Sequence, residues 1–247
     1  MSVISDDLTA CVLVLNDEYF LPYALEASRG WFSRYVIYDV GSTDRTKNII
    51  KWFIDSNDNV EYFIRDFDHV PARSVQGAFR NSMIAEARTD WYFILDGDEV
   101  YNPEDYQKIA NAWDAIANSG KLYGVINRRE VSPDLTKVYT RLRTHHRIYN
   151  RLATFTGGHP GEAPLIEQNP RNEIHIPQAV CTHFHNALRS SKESDALKRQ
   201  ERKTQHTYHP GKLVPWDLLE EMPILQKPIE DFPVSLELRR LQYEYNL

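Results

Sequence analysis

"YFILDGDEV" (Tyr92–Val100) decides how this chain is read. The run from Tyr92 to Leu95 has no polar face, as expected of a strand buried on both sides by covering helices. It runs directly into three carboxylates, Asp96, Asp98 and Glu99. Each carboxylate raises the cost of ionising the next, so a positive partner is expected at this strand end. Three chemistries fit the knot. Asp98 and Glu99 can be loop residues that cap the following helix, oxygen ligands for a hard cation such as Mg²⁺ or Mn²⁺, or a general acid/base pair of the kind glycoside hydrolases use. A D-x-D alone does not choose among them; its position in the fold bears on the choice.

Upstream of the knot the chain alternates. "TACVLVL" (Thr9–Leu15) reads as a buried strand, and "EYFLPYALEASRGWF" carries helical spacing at Leu21, Leu25 and Ser28, with Pro22 tolerated in a first turn. "RYVIYD" (Arg34–Asp39) is a second strand. Ser42 and Thr43 of the following "GSTD" are expected to cap the next helix, with Asp44 near its positive end. That helix puts Ile49, Ile50, Phe53 and Ile54 on one face. "VEYFIR" (Val60–Arg65) is a third strand, and "QGAFRNSMIAEA" a helix with Phe79, Met83, Ile84 and Ala87 inward. Strand–helix alternation of this kind implies an α/β fold with a mostly parallel central sheet flanked by helices. Ligands of such sheets bind outside the carboxyl ends of the strands, where Asn16, Asp39 and Asp96 fall.

Downstream the pattern changes. A helix carrying Tyr106, Ile109, Ala110, Trp113, Ile116 and Ala117 on one side precedes strand-like runs: "LYGVINRR", "KVYTRLR", "HHRIYN" and "EIHIPQAVCTHFH". This half is expected to be a smaller, mixed region. "SSKESDALKRQERKTQH" reads as a helix that is polar almost all round, its charge a solvated face. The basic cluster "RLRTHHRIYNR" is expected on the surface. From Pro215 the chain is acidic and broken by prolines at 223, 228 and 233, yet keeps Leu218, Leu219, Ile224, Phe232 and Leu236 to dock on the body.

The whole chain narrows the classes. It has 247 residues, 42% apolar and 26% charged, which suits a soluble globular protein with a sizeable core. A net charge of −6 argues against a general nucleic-acid coat. Cys11 and Cys181 lie far apart beside apolar residues and read as two reduced buried thiols. "MSVISDDLTA" lacks the basic and apolar regions of a signal peptide, and no apolar window is long enough to span a membrane. The expected location is the cytoplasm.

Taken in order, "VLVLNDEYFLPYALEA", "VIYDVGSTDRT", "FRNSMIAEARTDWYFILDGDE" and "THFHNALRS" resemble family 2 glycosyltransferases of the GT-A fold. The resemblance covers roughly the first hundred residues, with weaker echoes to about Ser190. It implies a Rossmann-like nucleotide-binding half (1–100), an acceptor and metal half (101–210) and a C-terminal extension (211–247). It also implies a nucleotide-diphospho-sugar donor and a Mn²⁺ or Mg²⁺ ion. By residue, it implies that Asp39 contacts the nucleobase, Asp96 the ribose or a metal-bound water, and Asp98 the metal, with Asp44 steadying the nucleotide loop. Asn16 and Arg80 join that donor set. His183 and His185 alternate along a strand and so share a face; the resemblance puts one of them on the cation, the other reading being a satisfied strand-end pair. Arg189 and Lys192 follow within reach of a diphosphate.

Transfer to a hydroxyl also requires a base across the sugar from the metal. "GGHPGEAP" is the place for it: a Gly/Pro turn from which Glu162 projects. Similar transferases carry an adjacent His-Glu pair here, whereas this chain spreads it as His159 to Glu162; Glu99 is the reserve assignment. No glycine-rich loop follows the first strand and no G-x-G-x-x-G or G-x-x-x-x-G-K-[ST] occurs, which disfavours nucleotidyltransferases, dinucleotide oxidoreductases and P-loop NTPases. A metallohydrolase on His183, His185 and Asp98, and a non-catalytic nucleotide-sugar-binding module, are the remaining rivals. The Q-x-x-R-W segment of processive synthases is absent, so transfer of a single sugar is expected. The family's usual acceptor is a lipid-linked or cell-surface glycan, with a peptide or modified nucleic-acid base open; uracil as the donor base and inversion rest on the resemblance.

Overall fold

Four parallel strands carry the first half: β1 (Leu8–Val14), β2 (Arg34–Asp39), β3 (Val60–Ile64) and β4 (Trp91–Asp96), in the spatial order β3-β2-β1-β4. The computed structural model describes residues 3–65, 72–132, 135–153, 155, 172–185, 187, 190 and 211–226. Crossovers are made by α1 (Leu21–Ser28), α2 (Thr46–Asp55) and α3 (Ala72–Ala87). Side chains alternate across the sheet, and both faces are buried. Ala10, Val12, Tyr35, Ile37, Phe93 and Leu95 enter a core shared with α1 and α2, while Cys11, Leu13, Val36, Tyr38, Tyr92 and Ile94 face α3 through Phe79, Met83 and Ala87. Register aligns the carboxyl ends, with Val14 opposite Asp39 and Leu13 opposite Asp96. The continuous apolar runs read in the sequence are therefore strands covered on two sides.

One helix start differs from expectation. Thr46 begins α2 without a side-chain cap from the residue before it, and Ser42 and Thr43 lie upstream in the loop. Asp44 supplies the oxygen instead, accepting from the Thr46 N–H at 2.9 Å.

The second half adds β5 (Glu99–Tyr101), α4 (Pro103–Ala117), β6 (Tyr123–Glu130), β7 (Lys137–Tyr139), β8 (Arg143–Asn150), β9 (Glu173–His183), β10 (Leu213–Pro215), α5 (Leu218–Glu221) and a 3-10 turn over Pro223–Gln226. The sheet continues β4-β8-β6-β9-β5, mixing parallel and antiparallel pairs. β5 was not expected, and it explains the shape. Only Gly97 and Asp98 separate β4 from β5, a reach of about 11 Å at most. Four strand spacings in a flat sheet would be about 19 Å, so the sheet must curl back on itself. The D-x-D lies where it closes.

Trp113, Ile109 and Tyr106 of α4 complete the core under this curl, and Leu218, Met222, Ile224 and Leu225 pack into the same cluster. Both cysteines are free and buried. No helix among the described residues is long and apolar enough to cross a membrane. Glu162, His159, Arg189, Lys192, the expected helix beyond Ser190, Phe232 and Leu236 lie outside the described residues.

Candidate active site

At the carboxyl end of β1 the chain turns through Asn16, whose φ of 53° is a left-handed conformation that Asn tolerates better than most residues. The turn aims its side chain at the loop after β2. Asn16 Oδ1 accepts from the N–H groups of Thr43 (2.8 Å) and Asp44 (3.3 Å), and the Asn16 N–H donates to Ser42 Oγ at 2.9 Å. Asp44 Oδ2 accepts from the Glu18 N–H at 3.2 Å. Asp39 is buried: Oδ1 accepts from the N–H groups of Gly41 (3.2 Å) and Ser42 (2.7 Å), while Oδ2 accepts from the Tyr62 hydroxyl at 3.3 Å. Glu18, also buried, receives Arg45 Nε at 2.9 Å and the Ser190 hydroxyl at 3.2 Å. Asn16, Asp39 and Asp44 thus form one rigid loop system beside the D-x-D.

The knot itself is neutralised from within the protein. Arg80, from α3, donates to Asp96 Oδ1 at 3.0 Å, and Arg147, from β8, donates to Asp96 Oδ2 at 2.9 Å. The same Arg147 nitrogen reaches Glu99 Oε1. Desolvation works against the charged form of Asp96, but the Arg80 and Arg147 guanidiniums outweigh it and hold the carboxyl below the usual range. Glu99 is fully buried, and that burial pushes its carboxyl up against the opposing pull of Arg147. Enclosed in this way, Glu99 has no open face for an acceptor hydroxyl. Arg147 also corrects an expectation: the sequence pattern puts the basic cluster around it on the surface, yet its side chain is buried. Alternation along β8 puts His145 on the same face, its Nδ1 3.3 Å from Glu99 Oε1. Burial, then Arg147 and Arg128, push the His145 imidazole well below its ordinary value, so it is neutral.

Asp98 points elsewhere. Its Oδ2 is 3.7 Å from His183 Nε2 and 3.8 Å from His185 Nδ1. These separations are too long for hydrogen bonds. They are the spacing of two atoms that share one ion at about 2.1 Å each, which is about 3.0 Å at a right angle and about 4.2 Å when opposed. The three ligand atoms all lie within 4.8 Å of one another. The His183 and His185 rings stack, with centroids 5.2 Å apart and planes 16° from parallel, while Phe184 between them turns inward onto Phe20 at 4.1 Å. The Phe184 N–H donates to the Asp98 carbonyl at 2.9 Å, fixing the two segments together.

Behind His183 sits Glu130, whose Oε2 is 2.9 Å from Nδ1. Parallel pairing of β6 and β9 sets the two opposite each other. Despite the cost of burial, His183 and then Arg128 pull the Glu130 carboxyl down to about 2. Burial disfavours a charged His183, but Glu130 and Asp98 raise its imidazole above the ordinary value. A second group of candidate ligands, Glu99, His145 and Cys181, lies deeper. There the Arg147 cation already occupies the Glu99 side, which disfavours another positive charge.

The chemistry of the outer group is that of a cation site: one carboxylate and two imidazoles converge, and one imidazole is held from behind by a buried carboxylate. Glu130, Arg147, His145 and Arg128 were not singled out in the sequence. The strand alternation that places His145 with Arg147 was the available signal for that pair.

Residues 9–168 match the family model described as "Glycosyl transferase family 2". A curated relative, the SPbeta prophage-derived glycosyltransferase SunS of Bacillus subtilis (strain 168), is 29% identical over 104 residues; the match spans 42% of this chain and 22% of that protein's length. Among solved structures, the fold is similar to glucosyl-3-phosphoglycerate synthase from Mycobacterium tuberculosis. In complex with Mn²⁺, UDP and phosphoglyceric acid that protein aligns with a TM-score of 0.51 at 14% identity, over 80% of this chain and 74% of its own. With Mn²⁺, UDP-glucose and phosphoglyceric acid it aligns with a TM-score of 0.50 at 13% identity, over 85% and 86%. At these identities the likeness is one of fold.

Proposed function

The chain belongs to glycosyl transferase family 2, and from that premise we propose that it moves a single sugar from a UDP-sugar to an acceptor hydroxyl, with inversion and with the help of a divalent cation. The observation that carries this reading is the convergence of Asp98, His183 and His185 beside the Asn16–Asp39–Asp44 loop system. These three side chains would hold the ion, and two imidazoles beside one carboxylate suit Mn²⁺ better than Mg²⁺. When bound, the ion supplies Lewis-acid stabilisation of the diphosphate leaving group. The similar fold of a synthase seen with Mn²⁺ and UDP supports the same choice of donor and ion.

The remaining roles belong to the chain's own groups. Asp39 presents Oδ2 to a base N–H while Oδ1 keeps the loop closed through Gly41 and Ser42. Asn16 and Asp44 hold that loop against β1. Asp96 has both oxygens on arginines, so its part is to fix Arg80 and Arg147 at the floor of the site and to leave Asp98 as the carboxylate that meets the cation. Arg189 and Lys192 are assigned to the diphosphate, and Glu162 to removal of the acceptor proton. The acceptor is a hydroxyl-bearing glycan or lipid-linked intermediate on the family pattern, and the cytoplasm is kept as the place of action.

Calorimetric titration of UDP and UDP-sugars with and without Mn²⁺ tests the reading. Wild-type protein is expected to bind UDP in a Mn²⁺-dependent way, and Asp98→Asn to lose that dependence while staying folded. Wild-type affinity and wild-type Mn²⁺ dependence in Asp98→Asn would overturn the metal reading.

A further inference from the structure

We infer that Glu130 is a positioning residue for the cation site: it fixes the tautomer and ring plane of His183 so that Nε2 presents a lone pair towards Asp98. The inference rests on the metal reading above and extends it to a side chain that would touch neither ion nor substrate.

A neutral imidazole carries its proton on one nitrogen and can ligate only through the other. Glu130 Oε2 stands 2.9 Å from Nδ1, and an ionised carboxylate only accepts, so the proton must sit on Nδ1. That assignment leaves Nε2, the atom 3.7 Å from Asp98 Oδ2, as the ligand. Glu130 is itself held. Its other oxygen, Oε1, is 2.8 Å from Arg128 Nε, and the carboxylate is buried. Arg128 Nη1 in turn donates to His145 Nδ1 at 3.3 Å, which holds the guanidinium in place. Parallel register between Glu130 and His183 makes the contact a property of the sheet and not of a loop. A carboxylate behind a histidine ligand orients the ring and raises its basicity, and its loss weakens metal binding by roughly 10- to 100-fold.

The test combines Mn²⁺ titration, followed by electron paramagnetic resonance, with nitrogen NMR of the His183 imidazole in metal-free protein, read at a pH alkaline enough for the ring to be neutral. Glu130→Ala should weaken Mn²⁺ binding by about 10- to 100-fold and release His183 into a mixture of tautomers. Glu130→Gln, whose amide oxygen can still accept from Nδ1, should keep the Nδ1–H tautomer and lose less affinity; it also serves if the alanine variant fails to fold. A merely structural role would leave the His183 nitrogen shifts unchanged in the folded variant. Wild-type Mn²⁺ affinity in folded Glu130→Ala, or in Glu130→Gln with the Nδ1–H tautomer lost, alongside loss of binding in Asp98→Asn, would overturn the role of Glu130 and leave the metal site standing. Failure of the wild-type protein to bind Mn²⁺ would instead remove the metal reading, and with it the role inferred for Glu130.

Discussion

Arg147 lies against Glu99 in the closed end of the sheet, and neither side chain has appreciable exposure to solvent. The positive partner demanded by the acidic knot is therefore a residue of the chain, and through Asp96 it shares the task with Arg80. Removing one member of a buried ion pair strands the other, which typically costs 3–5 kcal/mol, about the stability of a marginal domain. Arg147→Met is expected to lower unfolding free energy by about that much. Adding Glu99→Leu to it should recover a large part of the loss, because the stranded charge is gone. Urea denaturation of the single and double variants checks both. A single variant as stable as wild type would show that the pair does not organise this end of the sheet.

Gly97 is the middle residue of the D-x-D because of what faces it. A Cβ placed there would meet Asp17 Cβ at 2.8 Å and its carboxylate at 2.9 Å. Asp17 is not free to withdraw, since its Oδ2 accepts from the Leu15 N–H at 3.1 Å and its own N–H donates to Thr46 Oγ1 at 3.0 Å. Gly97→Ala should cost about 1–3 kcal/mol, the usual range for overpacking. It should also displace Asp98 and weaken Mn²⁺ binding. Thermal unfolding and Mn²⁺ titration read the two effects separately. Unchanged values in both would mean that the turn accommodates a side chain.

The buried thiols and phenols set an alkaline limit. Burial pushes the Cys11 thiol up to about 12 from its ordinary 9.0, and it raises the Tyr149 hydroxyl to about 12 from 10.0. Groups whose folded values are raised favour the protonated, folded form. Their contribution is fully present below the unfolded value and is lost as pH rises towards the folded one. Stability should therefore hold up to about pH 9 and fall between about pH 9 and 12. In the native state Cys11 should resist thiol reagents, because the thiolate is the reactive form. Rapid labelling of Cys11 in folded protein at mildly alkaline pH would contradict this.

The sequence made some of this legible and hid the rest for physical reasons. β1, β2 and β4 announced themselves because strands buried on two faces are unbroken apolar runs, and the order of Asn16, Asp39 and Asp96 along the chain placed them at one edge of the sheet. His183 and His185 were legible through alternation, and their shared face holds although the strand ends between them. β5 was not legible: three residues carry no period, and Glu99 looked like a loop carboxylate beside Asp98. Arg147 was hidden among other basic residues, since a cluster such as "RLRTHHRIYNR" does not reveal which guanidinium turns inward. Glu130 was masked in the same way, because a carboxylate after Arg128 and Arg129 reads as a solvated charge until pairing with β9 sets it opposite His183.

Glu162 carries the assignment that the chemistry needs most. A transferase that activates a hydroxyl needs a base across the sugar from the cation, and Glu99 is enclosed by Arg147 and His145. Glu162, in the Gly/Pro turn "GGHPGEAP", remains the candidate. A base acts on the acceptor and contributes in the transition state, so Glu162→Gln should leave UDP and Mn²⁺ affinity unchanged. Transfer should fall by roughly 10²-fold or more, the usual worth of general-base catalysis. The loss should appear in kcat and not in donor KM, because the missing interaction forms only as the hydroxyl attacks. Steady-state kinetics with a competent acceptor, beside calorimetry with UDP, separates the possibilities. Normal turnover would exclude Glu162 as the base, and loss of donor affinity would make it a binding residue.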